Sequence, residues 1–342
     1  MLKYTVLIAF TIVLNACKST VIANESVGLG TDFTIAFGSC NKHTLENHLW
    51  DDIIKVKPDL WIWGGDNIYA DTDDIDVISS MYNAQKNVAG YSKLRAEIPV
   101  IGTWDDHDYG INDGGEEWSA KDASQQALLD FLDVPDTSAV RTQKGVYTSH
   151  SYKMRNGQVK IMVLDTRYFR SPLTPDPTGK KRFIPNTFGD GTILGEVQWQ
   201  WLAEELRNST ANFNILISSI QFLSDKHGFE TWGNFPHEVS RLKELIVDSG
   251  AKNVMILSGD RHISECSKAK IEGLAYPLID FTSSGLTHAY KDYSGEPNPY
   301  RMGQVISTES FGLVKLNLSS NSASFLIVGD QSQTLAEFEQ QY

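Results

Sequence analysis

Leu60-Trp61-Ile62-Trp63-Gly64-Gly65-Asp66-Asn67-Ile68-Tyr69 is an apolar run that stops on two glycines and a carboxylate. The same grammar recurs in Phe33-Thr34-Ile35-Ala36-Phe37-Gly38-Ser39-Cys40, in Val100-Ile101-Gly102-Thr103-Trp104-Asp105-Asp106-His107-Asp108 and in Val254-Met255-Ile256-Leu257-Ser258-Gly259-Asp260-Arg261-His262. Each reads as a buried strand followed at once by polar side chains able to bind a metal. Helical spacing over about 44–56, 75–95 and 121–132 separates these runs, so the first half reads βαβαβα. A hairpin is expected over 146–164 around Asn156-Gly157. The second half repeats the alternation, with helices near 196–208 and 237–249 and strands near 214–219, 254–257, 275–283, 311–317 and 322–328. Such alternation argues for a layered α/β fold. In open α/β sheets ligands bind beyond the carboxyl ends of strands, which would bring the four polar tips to one site.

Composition bounds the alternatives. The chain has 342 residues, 41% of them hydrophobic and 21% charged, which excludes a disordered, collagenous or coiled-coil protein. Its 43 acidic residues against 30 Lys and Arg give a formal charge of −13, the wrong sign for holding a nucleic-acid backbone. An acidic protein that receives an anionic substrate needs bound cations or a local Arg cluster to do so.

The first residues read as a targeting segment. Lys3, the apolar run 4–14 and the small residues before Cys17 have the layout of a signal peptide, too short to span a bilayer. Leu14-Asn15-Ala16-Cys17 resembles the bacterial lipobox, in which the cysteine is acylated after cleavage. The expected organisation is therefore a lipoprotein signal over 1–16, a tether over 17–31, a single folded domain over 32–330 and a tail over 331–342. The protein would sit in a bacterial cell envelope, anchored by Cys17, as a monomer facing periplasm or exterior. Cys40 and Cys266 would then be the remaining thiols, and their motif contexts argue against a disulfide between them. The proline-rich stretch 171–191, carrying Lys180-Lys181-Arg182, is expected to be a surface flap, with an active-site lid as one of its roles.

Taken singly, each tip has a plain reading. Gly-Asp after a strand is often only a turn, and a buried Cys is often only core. The set is harder to dismiss, above all Asp105-Asp106-His107-Asp108, whose adjacent ionisable groups repel unless cations or specific partners offset them.

The ordered set Gly-Ser-Cys (38–40), Gly-Asp-x-x-Tyr (65–69), Trp-Asp-Asp-His-Asp (104–108) and Gly-Asp-x-His (259–262) resembles the alkaline phosphatase D, or PhoD-like, branch of the calcineurin-like metallophosphoesterases. Leu164-Asp165-Thr166-Arg167, Ser218-Ser219-Ile220-Gln221 and Trp232-Gly233-Asn234-Phe235 support it, and the resemblance covers about 32–330. It implies a four-layer α/β/β/α sandwich of two mixed sheets with metals at one edge. It implies, too, that Cys40, Asp66, Tyr69 and His262 hold one metal and that Asp66, Asp106 and Asp260 line a second position. Three anionic donors and a neutral imidazole suit Fe(III), and the all-oxygen position suits Ca(II), with Mg, Mn or Zn as alternatives. The implied reaction is hydrolysis of phosphomonoesters, phosphodiesters or both, by in-line attack of a metal-bound hydroxide, with His107 stabilising the transition state or protonating the leaving oxygen.

Several assignments stay open at this point. Asp105 and Asp106 compete as ligand, with His107 aligned so as to favour Asp106. Gln221 stands where a His ligand occurs elsewhere in the superfamily, and is either a site contact or a structural amide. Arg167, Arg141 and Arg261 are candidates to hold a phosphoryl oxygen, Arg167 first because it follows an apolar strand. Trp232 and Phe235 either line the cleft or fill loop core, and Cys266 reads as a buried thiol. Two other functions remain in view, a phospholipase-like diesterase acting on lipid headgroups and a non-catalytic lipoprotein that keeps the fold and metals.

Overall fold

The computed structural model describes residues 31–342, so the expected signal, the lipobox and nearly all of the tether lie outside it. Two sheets carry the molecule. The first has strand order β15-β14-β13-β1-β2-β3, with β1 Phe33–Gly38, β2 Leu60–Gly64, β3 Val100–Thr103, β13 Phe311–Asn317, β14 Ser322–Val328 and β15 Thr334–Gln341. The second runs β12-β10-β11-β9-β8-β5-β4, with β4 Thr148–Met154, β5 Gly157–Val163, β8 Phe213–Ser218, β9 Val254–Ser258, β10 Ser264–Ala269, β11 Leu278–Ser283 and β12 Arg301–Ile306. Both are mixed. β1, β2 and β3 are parallel, while β13 runs antiparallel to β1; β5, β8, β9 and β11 are parallel, β4 and β10 oppose them, and β12, antiparallel to β10, runs in their direction.

Side-chain alternation builds the layers. Phe33, Ile35 and Phe37 of β1 and Leu60 and Ile62 of β2 meet Ile161, Ile215, Leu257 and Phe281 of the second sheet, forming an apolar core between the sheets. The intervening residues point the other way. Trp61 and Trp63 pack edge-on against Trp50 of helix α1 (Trp50–Lys55), and the Trp63 indole N–H donates to Tyr91 of α3 (Ala89–Glu97) at 3.0 Å. Helices α2 (Ile75–Lys86) and α5 (Lys121–Phe131) complete that layer through Ile78, Tyr82, Leu128 and Phe131; the single turn α4 (Asp106–Tyr109) lies between them in sequence. On the opposite face, Leu216 and Ile256 pack against Trp199 and Leu202 of α6 (Gly195–Arg207) and Leu242 and Ile246 of α7 (Pro236–Ser249). The outcome is the expected α/β/β/α sandwich.

Local chemistry explains where the elements depart from their expected bounds. The helix expected over 75–95 breaks between Asn87 and Val88, whose extended ψ of 121° redirects the chain. The break lets Gly90 lie on Trp50, where a Cβ would come within 2.6 Å of the Trp50 Cβ and 2.7 Å of its indole. Residues 331–342, expected as a tail, carry β15, which pairs along all of β14 and lays Leu335, Ala336 and Phe338 against the inter-sheet core. The stretch 171–191 is less irregular than its prolines suggest, since β6 (Thr174–Pro175) and β7 (Phe183–Ile184) form a short hairpin within it. Cys40 and Cys266 are both free and buried, Cys266 within the core between the sheets. Among the described residues no helix is long and apolar enough to cross a membrane.

Truncation after Gly329 removes β15 and exposes the apolar flank of β14. Chemical denaturation should show a loss of about 2–4 kcal/mol, the scale of uncovering one or two large apolar side chains. An unchanged midpoint would mean that β15 adds nothing to the fold.

Candidate metal centre

The donors arrive on sharp backbone turns at the carboxyl ends of β1, β2 and β9. Cys40 (φ 58°), Asp66 (φ 50°), Asp260 (φ 69°) and His262 (φ 55°) all hold left-handed conformations. For a residue with a Cβ this costs of order 1–3 kcal/mol and persists only where surrounding structure enforces it. Two glycines make the crowding possible. A Cβ on Gly65 would lie 2.6 Å from that of Asp105, and one on Gly259 would lie 2.6 Å from the Ser39 hydroxyl. The fourth tip enters through α4, where Asp105 and Asp108 exchange side-chain and backbone bonds as a capping box and fix Asp106 and His107 in the first turn.

Asp66 is the centre of the cluster. Its Oδ2 accepts from the Cys40 thiol at 3.4 Å and from the Tyr69 hydroxyl at 3.1 Å, while Oδ1 accepts the His107 backbone N–H at 3.3 Å. The Tyr69 hydroxyl also lies 3.1 Å from His262 Nε2, and the Ser284 hydroxyl accepts the His262 N–H at 2.7 Å while lying 3.0 Å from Cys40 Sγ. Donor atoms of Cys40, Asp66 and His262 fall within 4.8 Å of one another, and so do those of Asp66, Asp106 and His107. Asp106 spends Oδ2 on Asn112 (3.1 Å) and on the Asp113 N–H (2.7 Å), leaving Oδ1 buried without a hydrogen-bond partner. A buried carboxylate oxygen left free beside a second carboxylate is what a cation site presents. Asp260 lines the same cleft.

Electrostatics points the same way. Burial, with the neighbouring charges of Cys40 and Asp106, drives the Asp66 carboxyl well above its usual range, and burial with Asp66 and Cys40 does the same to the Tyr69 phenol. Burial and Asp260 push the Cys40 thiol up to about 11, and burial lifts Asp260 to about 7 against the pull of Arg261. Burial opposes charge on His107, but its hydrogen bond to Asp71 and the nearby Asp66 and Asp106 carboxylates win and hold it up to about 10. His262 is kept neutral chiefly by burial. Left to themselves these acids cannot all ionise, and a metal cation is the charge that lets them do so.

The remaining expected residues separate cleanly. Asp106 joins the donor cluster, whereas Asp105 faces Arg167, whose Nε donates to it at 2.5 Å with Ser219 donating at 2.7 Å. Arg167 does not reach the cleft. It is fully buried, and its Nη1 donates to Glu230 at 2.6 Å, with Arg170 pairing the other Glu230 oxygen at 2.9 Å. Burial beside two carboxylates, and not the position after a strand, decides its partners. Gln221 is a structural amide, donating to Glu265 (2.8 Å) and Thr282 (2.9 Å). Trp232 and Phe235 are loop core, Arg141 pairs Asp130 (2.6 Å) beside α5, and Arg261 lines the cleft but stacks on Phe229 and pairs Glu296 (2.7 Å). The sequence reading missed Asp71, Asp113, Glu230, Ser284 and His288, whose ring lies 4.5 Å from that of His262 at the cleft, and it took Arg182 only as part of the basic run in the flap. Ser284 alone follows the strand-tip grammar, directly after β11; the others sit farther along their loops, where no strand immediately precedes them.

Arg167→Met leaves Asp105 an uncompensated buried charge and Glu230 with Arg170 as its remaining partner, so urea denaturation should show a loss of about 3–5 kcal/mol. A stable variant with a raised KM would instead return Arg167 to the substrate.

Residues 79–290, more than half of the chain, match the family model described as PhoD-like phosphatase. Alkaline phosphatase D of Bacillus subtilis is 24% identical over 300 residues, which is 74% of this chain, and the chain spans about half (51%) of that relative's length. A solved structure of PhoD covers 91% of this chain and 68% of its own at 19% identity with a TM-score of 0.69. A dimetal phosphatase from Danio rerio covers 91% of this chain and 99% of its own at 13% identity with a TM-score of 0.58. At these identities the two structures speak to the fold, and both have the sandwich described above. The match over 79–290 settles the family: this chain belongs to the PhoD-like phosphatases.

Proposed function

We propose that this protein is a metal-dependent phosphoesterase hydrolysing phosphomonoesters, phosphodiesters or both. The observation that carries the reading is the convergence of Cys40, Asp66, Tyr69, Asp106, Asp260 and His262 at the carboxyl ends of strands from both sheets, with Asp66 in both donor groups and a free buried oxygen on Asp106. Cys40, Asp66, Tyr69 and His262 would hold Fe(III), the ion that best matches a thiolate, a phenolate and a carboxylate; Asp66, Asp106 and Asp260 would hold Ca(II) or another hard divalent ion. When bound, the ions supply positive charge against the phosphoryl oxygens and lower the pKa of the attacking water.

The chain's own residues do the rest. The Asp71 carboxylate meets His107 Nδ1 at 2.8 Å, while Nε2 faces Asp106 across 4.0 Å on the cleft side. That bond orients the ring and leaves the Nε2 proton to be given to the leaving oxygen. The Tyr69 ring lies 4.2 Å from the His107 ring and restricts its rotation. The lipobox-like sequence ending at Cys17 supports an envelope lipoprotein, and the acidic charge supports a small phosphoester substrate in preference to nucleic acid. A monomer is the simplest assembly consistent with a donor set drawn from one chain.

Metal analysis of residues 18–342 purified without chelator, with a visible absorption scan, tests the reading. Iron plus a divalent ion, with a visible band lost in Tyr69→Phe, is the expected result; a colourless protein holding only zinc, or none, sinks the Fe(III) assignment. His107→Ala should lower kcat by roughly 10²–10⁴-fold in steady-state assays with little change in KM, the scale of losing a general acid. Asp71→Asn should lower kcat less, because the ring remains and only its orientation is loosened.

A further inference from the structure

With Arg167 and Arg170 spent on Asp105 and Glu230, the guanidinium groups that line the cleft are Arg182 and Arg261. Arg261 is committed, 7% exposed, stacked on Phe229 and paired with Glu296. Arg182 differs. Its side chain is 49% exposed, it comes from the short hairpin of the 171–191 flap, and among the described residues its one ion pair is with Asp113. Asp113 is in turn one residue contact from the metal donors, since its backbone N–H holds Asp106 Oδ2 at 2.7 Å. The flap is pinned at this point, because the Arg182 and Phe183 N–H groups both donate to Gly228 O, at 3.0 and 2.9 Å. A long, half-exposed side chain on a pinned backbone can swing its fork without moving the flap.

We infer that Arg182 receives a non-bridging phosphoryl oxygen of the substrate, and that its pair with Asp113 is a resting contact which the incoming phosphate displaces. The inference rests on the phosphoesterase reading and adds its anion-holding residue. A phosphoryl group offers guanidinium two parallel charge-assisted bonds, where the Asp113 carboxylate competes as an anion of lower charge. Exchange of one anionic partner for another keeps Arg182 paired throughout, while the released Asp113 carboxylate, 17% exposed, turns to the solvent at the cleft mouth.

The competing account makes Arg182–Asp113 a plain latch for the flap, and the two differ in sign. In the metal-loaded protein, Arg182→Ala should raise both KM and the inhibition constant of inorganic phosphate roughly ten- to hundredfold, the scale of one charge-assisted hydrogen bond, with kcat within about threefold. Arg182→Lys should fall between. Asp113→Asn keeps the backbone N–H to Asp106 and frees Arg182, so it should tighten inorganic phosphate, and it should do nothing further in an Arg182→Ala background. Phosphate affinity unchanged in Arg182→Ala, or weakened by Asp113→Asn as much as by Arg182→Ala, overturns the clamp. If no ester is turned over by the wild type, the phosphoesterase reading falls. Calorimetric titration of the same proteins with inorganic phosphate still decides the clamp.

Discussion

Like charges buried side by side repel, and the carboxyl edge of these sheets gathers more acidic groups than any neutral packing would tolerate. Asp66, Asp105, Asp106 and Asp260 influence one another's ionisation across this edge, with the Cys40 thiol and Tyr69 phenol among them and the Glu230 charge acting on Asp105 and Asp260. The chain offsets the inner half itself, through Arg167 and Arg170 against Asp105 and Glu230. The outer half, around Asp66 and Asp106, is met among the described residues by His107, by the mouth arginines and by the longer reach of Arg167 toward Asp106. That division of charge makes the inner half structural and leaves the outer half to take up cations.

The rest of the sandwich can be understood as what holds this edge together. A left-handed Cys40, Asp66, Asp260 or His262 would relax if its strand were free to move. None is free, because β1, β2 and β9 are central strands, hydrogen-bonded on both sides and buried on both faces. Strain at the tips is therefore met by apolar burial along the strands: Phe33, Ile35 and Phe37 against the second sheet, Trp61 and Trp63 against α1 and α3. Large aromatic side chains suit this use, since each contributes considerable buried area for few rotatable bonds.

Central strands and their tips were legible in the sequence for the same reason. A strand buried on both faces is a continuous apolar run, and a tip is where that run stops on glycine and a metal-capable side chain. β10, β12 and β15 escaped because they lie toward the edges and carry polar residues. Ser264-Glu265-Cys266-Ser267 alternates a buried network, in which Glu265 pairs Arg301 and Asn298, with the core contact of Cys266. The donor residues that alternate readings had left open were decided by contacts between distant segments. Asp105 and Asp106 are neighbours in sequence, yet one turn of helix sends the first to Arg167, 62 positions away, and the second to Asn112 and Asp113.

Arg167 shows where the strand-tip rule stops being informative. Position after an apolar strand places a residue at the correct edge, but it does not say whether its side chain faces inward or outward from the carboxylates gathered there. An arginine facing inward must find carboxylates, since an unpaired guanidinium in that interior would be far more costly than a paired one. The charge that meets a substrate has to remain solvated until the substrate arrives, so it belongs on a loop at the mouth. The 171–191 flap, with Arg182 half exposed beside Asp113, satisfies that condition, and the strand ends, buried by the same packing that forms the donor cluster, do not.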